Sequence, residues 1–397
     1  MFGNVYLVKT KNVDALAEQL SGSESIEYVQ KDYYAGKQKM PKLEVREPAD
    51  LVMKRLFPTD VFKFNDPEVT RLWAFGPQGM DVLAAYDMLP NVRPVDVVVA
   101  VVDTGVDHTH EDLKDIMWVN RNEIPGDGVD NDRNGYIDDI HGINTLVRDA
   151  QGRATMNTMA SHWHGTHVAG TIAATQNNGI GIAGVAANAR IMAIRTVPDD
   201  ADELDSNIVE AFKYATENGA RIINCSFGKE KNEGGMVVRD MINEIGKRGV
   251  LVIASAGNDS SGPFSWRNID ERPKFPASFD SPNLLVVAST TSTGALSSFS
   301  NVGKGSVDVA APGSNVFSTL NGGKYGMASG TSMAAPNTSG VAAMVLGYFP
   351  RFTPAGLKEA LTSSVTKAPA YADKMSSGGR VNLKAALLRA TKMRFGK

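Results

Sequence analysis

The stretch VDVVVAVVD, residues 95–103, runs through six unbroken apolar positions, Val97–Val102, and stops on an aspartate. A valine-rich run without polar alternation is the pattern of a strand buried on both faces. Four more such runs follow: ARIMAIRTV (189–197), RIINCSF (221–227), VLVIASAGN (250–258) and LLVVAST (284–290). Between them, SNIVEAFKYATENG (206–219) and VVRDMINEIGKRG (237–249) carry helical spacing, and each ends at a glycine. Strand and helix in alternation predict an α/β fold, a mostly parallel sheet covered on both faces, with function gathered at the carboxyl ends of the strands.

The totals agree with a globular chain. Its 397 residues are 42% hydrophobic, enough for a large core. The 41 basic and 44 acidic residues leave a net charge of -3, which argues against a nucleic-acid partner or a cationic membrane surface. No apolar run approaches the ~18 residues of a membrane span, and Met1 opens no basic-then-apolar leader. Either the chain is intracellular or its leader lies outside this sequence. Cys225 is the single cysteine, so no disulfide forms within the chain.

Three motifs bear on chemistry. VVDTGVD (101–107) ends the first strand on Asp103, either a turn-forming residue or an acid at the mouth of the sheet. In GTSMAAPNTSGVAAMVLGYF (330–349), Ser332 opens a helix of small residues. Serine there is commonly a cap, but a helix N-terminus also offers free N–H groups to a nearby oxyanion. SHWHGTHVAG (161–170) holds His162, His164 and His167, half of the six histidines. His164 and His167 could share a helix face as metal ligands, but HGTH lacks the glutamate of an HExxH site. The alternative is a single imidazole held by an acid as a base.

Taken together, VVDTGVD, HGTHVAG and GTSMAAP resemble the three active-site signatures of the subtilisin-like serine proteases, in the family's Asp, His, Ser order. The resemblance runs from about residue 67 to the carboxyl end. It implies a three-layer subtilisin-like fold and peptide-bond hydrolysis through an acyl-enzyme. Ser332 would be the nucleophile, His164 the general base and then acid, and Asp103 the group that orients the imidazole. SAGN resembles the oxyanion segment, making Asn258 a donor beside the Ser332 N–H. CSFG and ASAG resemble the strands lining the first specificity pocket, through Ser226, Phe227, Gly228, Ala254, Ser255, Ala256 and Gly257. The chain departs from the common pattern at Lys229–Lys231 and in a tryptophan-containing loop after Asn258, so the resemblance carries no substrate preference. Protein or peptide substrates and a monomer are expected.

Calcium is the expected cofactor, on two grounds. DGVDNDRNGYIDD (127–139) places oxygen side chains at Asp130, Asp132 and Asn134, then Gly135 and Asp138, which suits a hard cation although His141 stands where an EF-hand has its glutamate. The second ground is resemblance alone: QNNGIGIAGVA (176–186) is similar to the family's calcium loop, implying Asn178, the carbonyls of Gln176, Ile180 and Ile182, and the distant carboxylate of Asp112.

Residues 1–36 read as a separate small α+β unit: strand-like NVYLVKT, helical VDALAEQL, strand-like IEYVQKDYY. They resemble the back half of the family's prodomain, which implies an intramolecular inhibitor, a zymogen and self-cleavage between about Tyr34 and Asp66, most readily after Tyr33–Gly36. Residues 37–66, broken by Pro41, Pro48 and Pro58, read as linker, and 67–397 as the protease domain. A secreted or periplasmic location follows from the resemblance, with the cytoplasm as the alternative.

Overall fold

The computed structural model describes residues 6–21, 26, 28–32, 43–44, 64–89, 92–230, 236–259 and 267–395. Its strands are β1 (Leu43–Glu44), β2 (Val97–Asp103), β3 (Gly142–Arg148), β4 (Ala154–Thr155), β5 (Ala189–Arg195), β6 (Ile222–Cys225) and β7 (Leu251–Ser255). They continue as β8 (Leu284–Thr290), β9 (Val309–Pro312), β10 (Val316–Leu320), β11 (Lys324–Ala328), β12 (Thr366–Lys367) and β13 (Gly379–Arg380). The α-helices are α1 (Val13–Ser21), α2 (Val82–Met88), α3 (His164–Ala173), α4 (Asp205–Glu217), α5 (Val237–Lys247), α6 (Thr331–Tyr348), α7 (Pro354–Thr362) and α8 (Leu383–Phe395).

The unbroken apolar run of β2 has a direct structural meaning. Val97, Val99 and Val101 join one buried cluster, while Ala100 and Val102 join another on the opposite face. A strand with hydrocarbon on both sides cannot alternate in polarity. The first cluster takes in α3, α6, α7 and α8; the second takes in α4 and α5. The expected α/β architecture with helices on both faces is what the chain adopts.

The main sheet has ten strands in the order β12-β13-β9-β8-β7-β6-β2-β5-β3-β4. Neighbours from β13 to β3 run parallel, and only the short edge strands β4 and β12 are antiparallel. β2 sits between β5 and β6, so the strand order reverses beside it. Such a switch point opens a crevice at the carboxyl ends of the strands, and Asp103 is the last residue of β2. Gly219 and Gly249, just beyond α4 and α5, have φ of 84° and 90°, the left-handed conformation that ends a helix at a glycine.

The amino-terminal unit departs from expectation. Its helix is present as α1, but residues 6–10 and 28–32 are not in strands. Tyr33–Gly36 and residues 45–63 of the linker fall outside the described residues, while Leu43 and Glu44 pair antiparallel with Ala328 and Met327 of β11. Phe64 packs in the first core cluster, so the packed body takes in residues of the expected linker.

Candidate active site

Three elements deliver the motifs to the crevice. Asp103 ends β2, His164 begins α3 and Ser332 is the second residue of α6. α3 approaches the end of β2 closely enough to exclude a side chain at Gly165. A Cβ there would lie 2.0 Å from the Gly105 carbonyl oxygen and 3.2 Å from the Asp103 Cβ. Thr104 Oγ1 accepts a hydrogen bond from the Gly165 N–H at 3.1 Å, fastening helix to strand end.

Asp103 and His164 are each about 1% exposed, and His164 Nδ1 meets Asp103 Oδ1 at 2.7 Å. The Thr104 N–H donates to the same carboxylate oxygen at 2.7 Å. With Nδ1 directed at the acid, Nε2 is the atom left for chemistry, and it is buried without a hydrogen-bond partner among the described residues. Ser332 Oγ instead donates to the Ser226 carbonyl at 2.9 Å. Such relaxed nucleophile geometry is common in unliganded sites.

The other histidines separate cleanly. His167 is fully buried, donates from Nε2 to the Val316 carbonyl at 3.0 Å, and burial pushes its pKa down to about 3. It is a neutral core residue. His162 lies tilted against Trp163, accepts from the His164 N–H at 3.3 Å, and has its pKa lowered by burial and then by His164. His164 and His167 point to separate partners, so they do not form a shared metal face.

Asn258 Oδ1 accepts from the Thr331 N–H at 2.8 Å and from Thr331 Oγ1 at 3.0 Å. Its carbonyl end is thereby engaged, which leaves the Nδ2 amide as the donor end of the side chain. Thr331 Oγ1 also accepts from the Gly257 N–H at 3.1 Å. Ser226, Phe227 and Gly228 continue from β6, and Ala254, Ser255, Ala256 and Gly257 end β7 and follow it; the two strands are adjacent, with Cys225 opposite Ala254. The expected pocket walls therefore lie side by side.

Sequence reasoning missed the residues that hold this arrangement. Ser339 donates to Asn224 at 2.8 Å, Asn224 to Ser226 Oγ at 2.9 Å, and Ser226 Oγ to the Ser332 carbonyl at 2.8 Å. This polar chain fixes the first turn of α6 against β6. The small polar positions inside apolar runs were its only signal. Lys229, the first residue of the departure from the common pattern, is buried and pairs with Asp205 at 2.6 Å. Lys231 and residues 260–266 of the tryptophan-containing loop lie outside the described residues.

Both expected metal loops are partly reorganised. Oxygens of Glu123, Asp130 and Asp132 lie within 4.8 Å of one another, a donor set suited to a hard divalent cation. Asp138 is not in that group, because its carboxylate accepts the Gly126 and Gly128 N–H groups at 2.7 and 3.0 Å. Asn134 bonds Asp132 and Asp139 through its amide. Glu123, four residues upstream of the motif, joins Asp130 and Asp132 in that group. In the second loop, Asp112 accepts from Asn178 at 2.8 Å and from the Ile182 N–H at 2.9 Å, and burial raises its pKa. The Gln176 side chain turns away to Tyr86 and the Gly184 carbonyl, each at 2.7 Å, and Ile180 N–H binds Asn178 Oδ1 at 3.0 Å. Asp66 closes the loop by accepting the N–H groups of Asn177 and Asn178.

Comparison with known proteins agrees with this fold. Residues 95–380 match the family model described as Subtilase family. The extracellular protease of Xanthomonas campestris pv. campestris is 34% identical over 82% of this chain and 57% of its own length. The major intracellular serine protease of Bacillus subtilis is 35% identical over 68% of this chain and 75% of its own. A solved protease of Pseudoalteromonas arctica PAMC 21717 superposes with a TM-score of 0.65 at 28% identity, covering 83% of this chain and all of that one. The chain spans little more than half, 54% and 57%, of the length of two curated relatives it matches. With the motifs, their order, the sheet and the crevice in agreement, the chain belongs to the subtilase family.

Proposed function

We propose that this chain is a serine endopeptidase that hydrolyses peptide bonds through an acyl-enzyme. The observation that carries the reading is the buried His164–Asp103 contact at 2.7 Å at the strand switch point; Ser332 opening α6 and Asn258 bonded to the neighbouring Thr331 support it. Ser332 Oγ rotates from the Ser226 carbonyl to His164 Nε2, gives up its proton there and attacks the substrate carbonyl. Asn258 Nδ2 and the Ser332 N–H receive the oxyanion. His164 then protonates the leaving amine, and the acyl group passes to water by the same steps in reverse. Asp103 keeps Nδ1 protonated and stabilises the imidazolium. His164 Nε2, buried and without a hydrogen-bond partner among the described residues, supports this reading, since the serine can supply that partner.

Calcium is proposed as a structural cofactor. Glu123, Asp130 and Asp132 would hold it in one loop, and Asp112 with Asn178 in the other, cross-linking loops that otherwise rely on hydrogen bonds among themselves. A zymogen is proposed from the amino-terminal contacts. Asp32 accepts from the Asp205 N–H at 3.0 Å and from Ser206, capping α4. Gln30 accepts from the Val237 N–H at 3.0 Å at the start of α5, and Tyr28 donates to Asp240 at 3.0 Å. Pairing of Leu43 and Glu44 with β11 brings the linker to within a few residues of Ser332 in sequence. Secretion is supported by relatives named as extracellular, from Xanthomonas campestris and Dichelobacter nodosus; a relative named as intracellular keeps the cytoplasm as the second reading. Among the described residues, no helix is long and apolar enough to cross a membrane.

A fluorophosphonate probe tests the chemistry. It should label Ser332 of the wild type and leave Ser332→Ala unlabelled; absence of label from a folded wild type would refute the proposal. Intact-mass measurement should show the wild type losing an amino-terminal fragment while Ser332→Ala stays whole. Equal cleavage of both would assign the cut to another protease.

A further inference from the structure

Lys274 is 7% exposed, and an ammonium is costly to bury unless its partners are fixed. Its Nζ reaches Glu230 Oε1 at 2.6 Å and the two carboxylate oxygens of Asp259 at 3.0 and 3.2 Å. Each carboxylate ends one wall of the specificity pocket. Glu230 stands two residues beyond Gly228, and Asp259 two residues beyond Gly257.

The backbone ties all three segments together. Phe275, next to Lys274, exchanges two backbone hydrogen bonds of 2.9 Å with Lys229. The Lys274 stem passes Gly257, where an added Cβ would lie 3.8 Å from Lys274 Cγ. Asn301 secures the other wall: its Nδ2 donates to the Ala256 carbonyl at 3.0 Å and to Asp259 at 3.1 Å, and its Oδ1 accepts the Asp259 N–H at 3.1 Å. One ammonium therefore spans the gap between the two walls.

Resting on the endopeptidase reading, we infer that Lys274, bracketed by Glu230 and Asp259, selects the charge of the substrate residue whose carbonyl Ser332 attacks, accepting uncharged and basic side chains and rejecting acidic ones. A lysine has three N–H donors, and three carboxylate oxygens stand within reach of them here. None is left for a substrate carboxylate, which would meet two negative groups instead. Glu230 is held in its ionised form by the hydrogen bond and charge of Lys274, with a smaller contribution from Arg272. The neighbouring Lys229 ammonium is directed away, to Asp205 and the Glu203 carbonyl.

The test uses the full chain and peptide substrates that differ only at the residue before the cut: lysine, glutamate, or glutamine as the uncharged reference. The readout is the ratio of kcat/KM for lysine to that for glutamate, which cancels losses common to all substrates. Wild type should prefer lysine, with glutamate below glutamine. Lys274→Met, which keeps the stem, should raise the ratio by about tenfold, and Glu230→Gln should lower it by about tenfold, as one unit charge near a pocket predicts. Glu230 is exposed, so that second variant gives a reading even where Lys274→Met folds poorly. Ratios within threefold of wild type, or shifts in the same direction, would overturn the inference. Failure of the wild type to react with a fluorophosphonate would instead remove the endopeptidase reading beneath it.

Discussion

Gly165→Ala sets two physical effects against each other. Alanine is favoured over glycine in a helix by up to about 1 kcal/mol, less at the first turn of α3 where Gly165 lies, so propensity alone predicts an equal or more stable protein. At this position the new Cβ would stand 2.0 Å from a backbone carbonyl oxygen, Gly105 O. Ordinary contact needs about 3.4 Å, so α3 must retreat from the end of β2 by roughly 1.4 Å. His164 is the adjacent residue, and its 2.7 Å bond to Asp103 cannot survive such a shift unchanged. Displacement of a reacting group by about 1 Å costs on the order of a hundredfold in rate. The expectation is a fall of about a hundredfold in kcat, little change in KM, and a net destabilisation of about 1–3 kcal/mol from overpacking. Peptide-amide kinetics and thermal melting on one preparation check it. A Gly165→Ala protein with wild-type kcat and an equal or higher Tm would refute the close-approach argument.

The remaining predictions concern the oxyanion donor, the metal loops and the buried histidine. Asn258→Ala should lower kcat by about a hundredfold or more with KM nearly unchanged, a magnitude carried over from subtilisin rather than worked from this site; an equal rise in KM would mean that Asn258 serves binding instead. Calcium at a hundredfold excess over its Kd should stabilise the fold by about 2.7 kcal/mol, and Glu123→Gln or Asp130→Asn should blunt the Tm shift; a Tm indifferent to chelator would remove both loops from the proposal. His167 has its pKa lowered by burial to about 3 in the folded chain, against about 6.5 when exposed, so the unfolded chain binds the extra proton between those values. Its contribution is therefore present above pH 6.5 and lost as pH falls toward 3, and in His167→Gln that part of the acid sensitivity should disappear from denaturant titrations. An unchanged pH slope in that variant would show that another group carries it.

The sheet was legible because its strands are hydrophobic on both sides. LLVVAST reads as a strand over the same residues that form β8, and the glycines after α4 and α5 mark their ends by φ alone. The candidate triad was legible as three motifs, not as geometry: nothing in HGTH says which imidazole faces Asp103, and the resemblance to the family supplied that choice. Glu123, Thr104, Thr331 and Asn224 were not legible. Thr104, Thr331 and Asn224 act through contacts between segments distant in sequence, and Glu123 through a loop whose folding the pattern does not give; a lone threonine, asparagine or glutamate carries no periodic signal. The amino-terminal unit is described only in part: its helix was legible from VDALAEQL, whereas the described residues 6–10 and 28–32 carry no strand pairing.

The strand order has a kinetic consequence. β2 is flanked by β5 and β6, whose residues lie roughly 90 to 120 positions further along the chain, so none of its ladder forms until long loops have closed. Parallel sheets assembled from such distant segments fold slowly, and a chain caught before closure exposes apolar strands while it waits. If the closing step is also the last to be undone, the same barrier delays unfolding. In a medium where every transiently opened molecule can be cut by its neighbours, the lifetime of this protein would then be governed by how seldom β2 is released, and survival becomes a matter of rate more than of equilibrium.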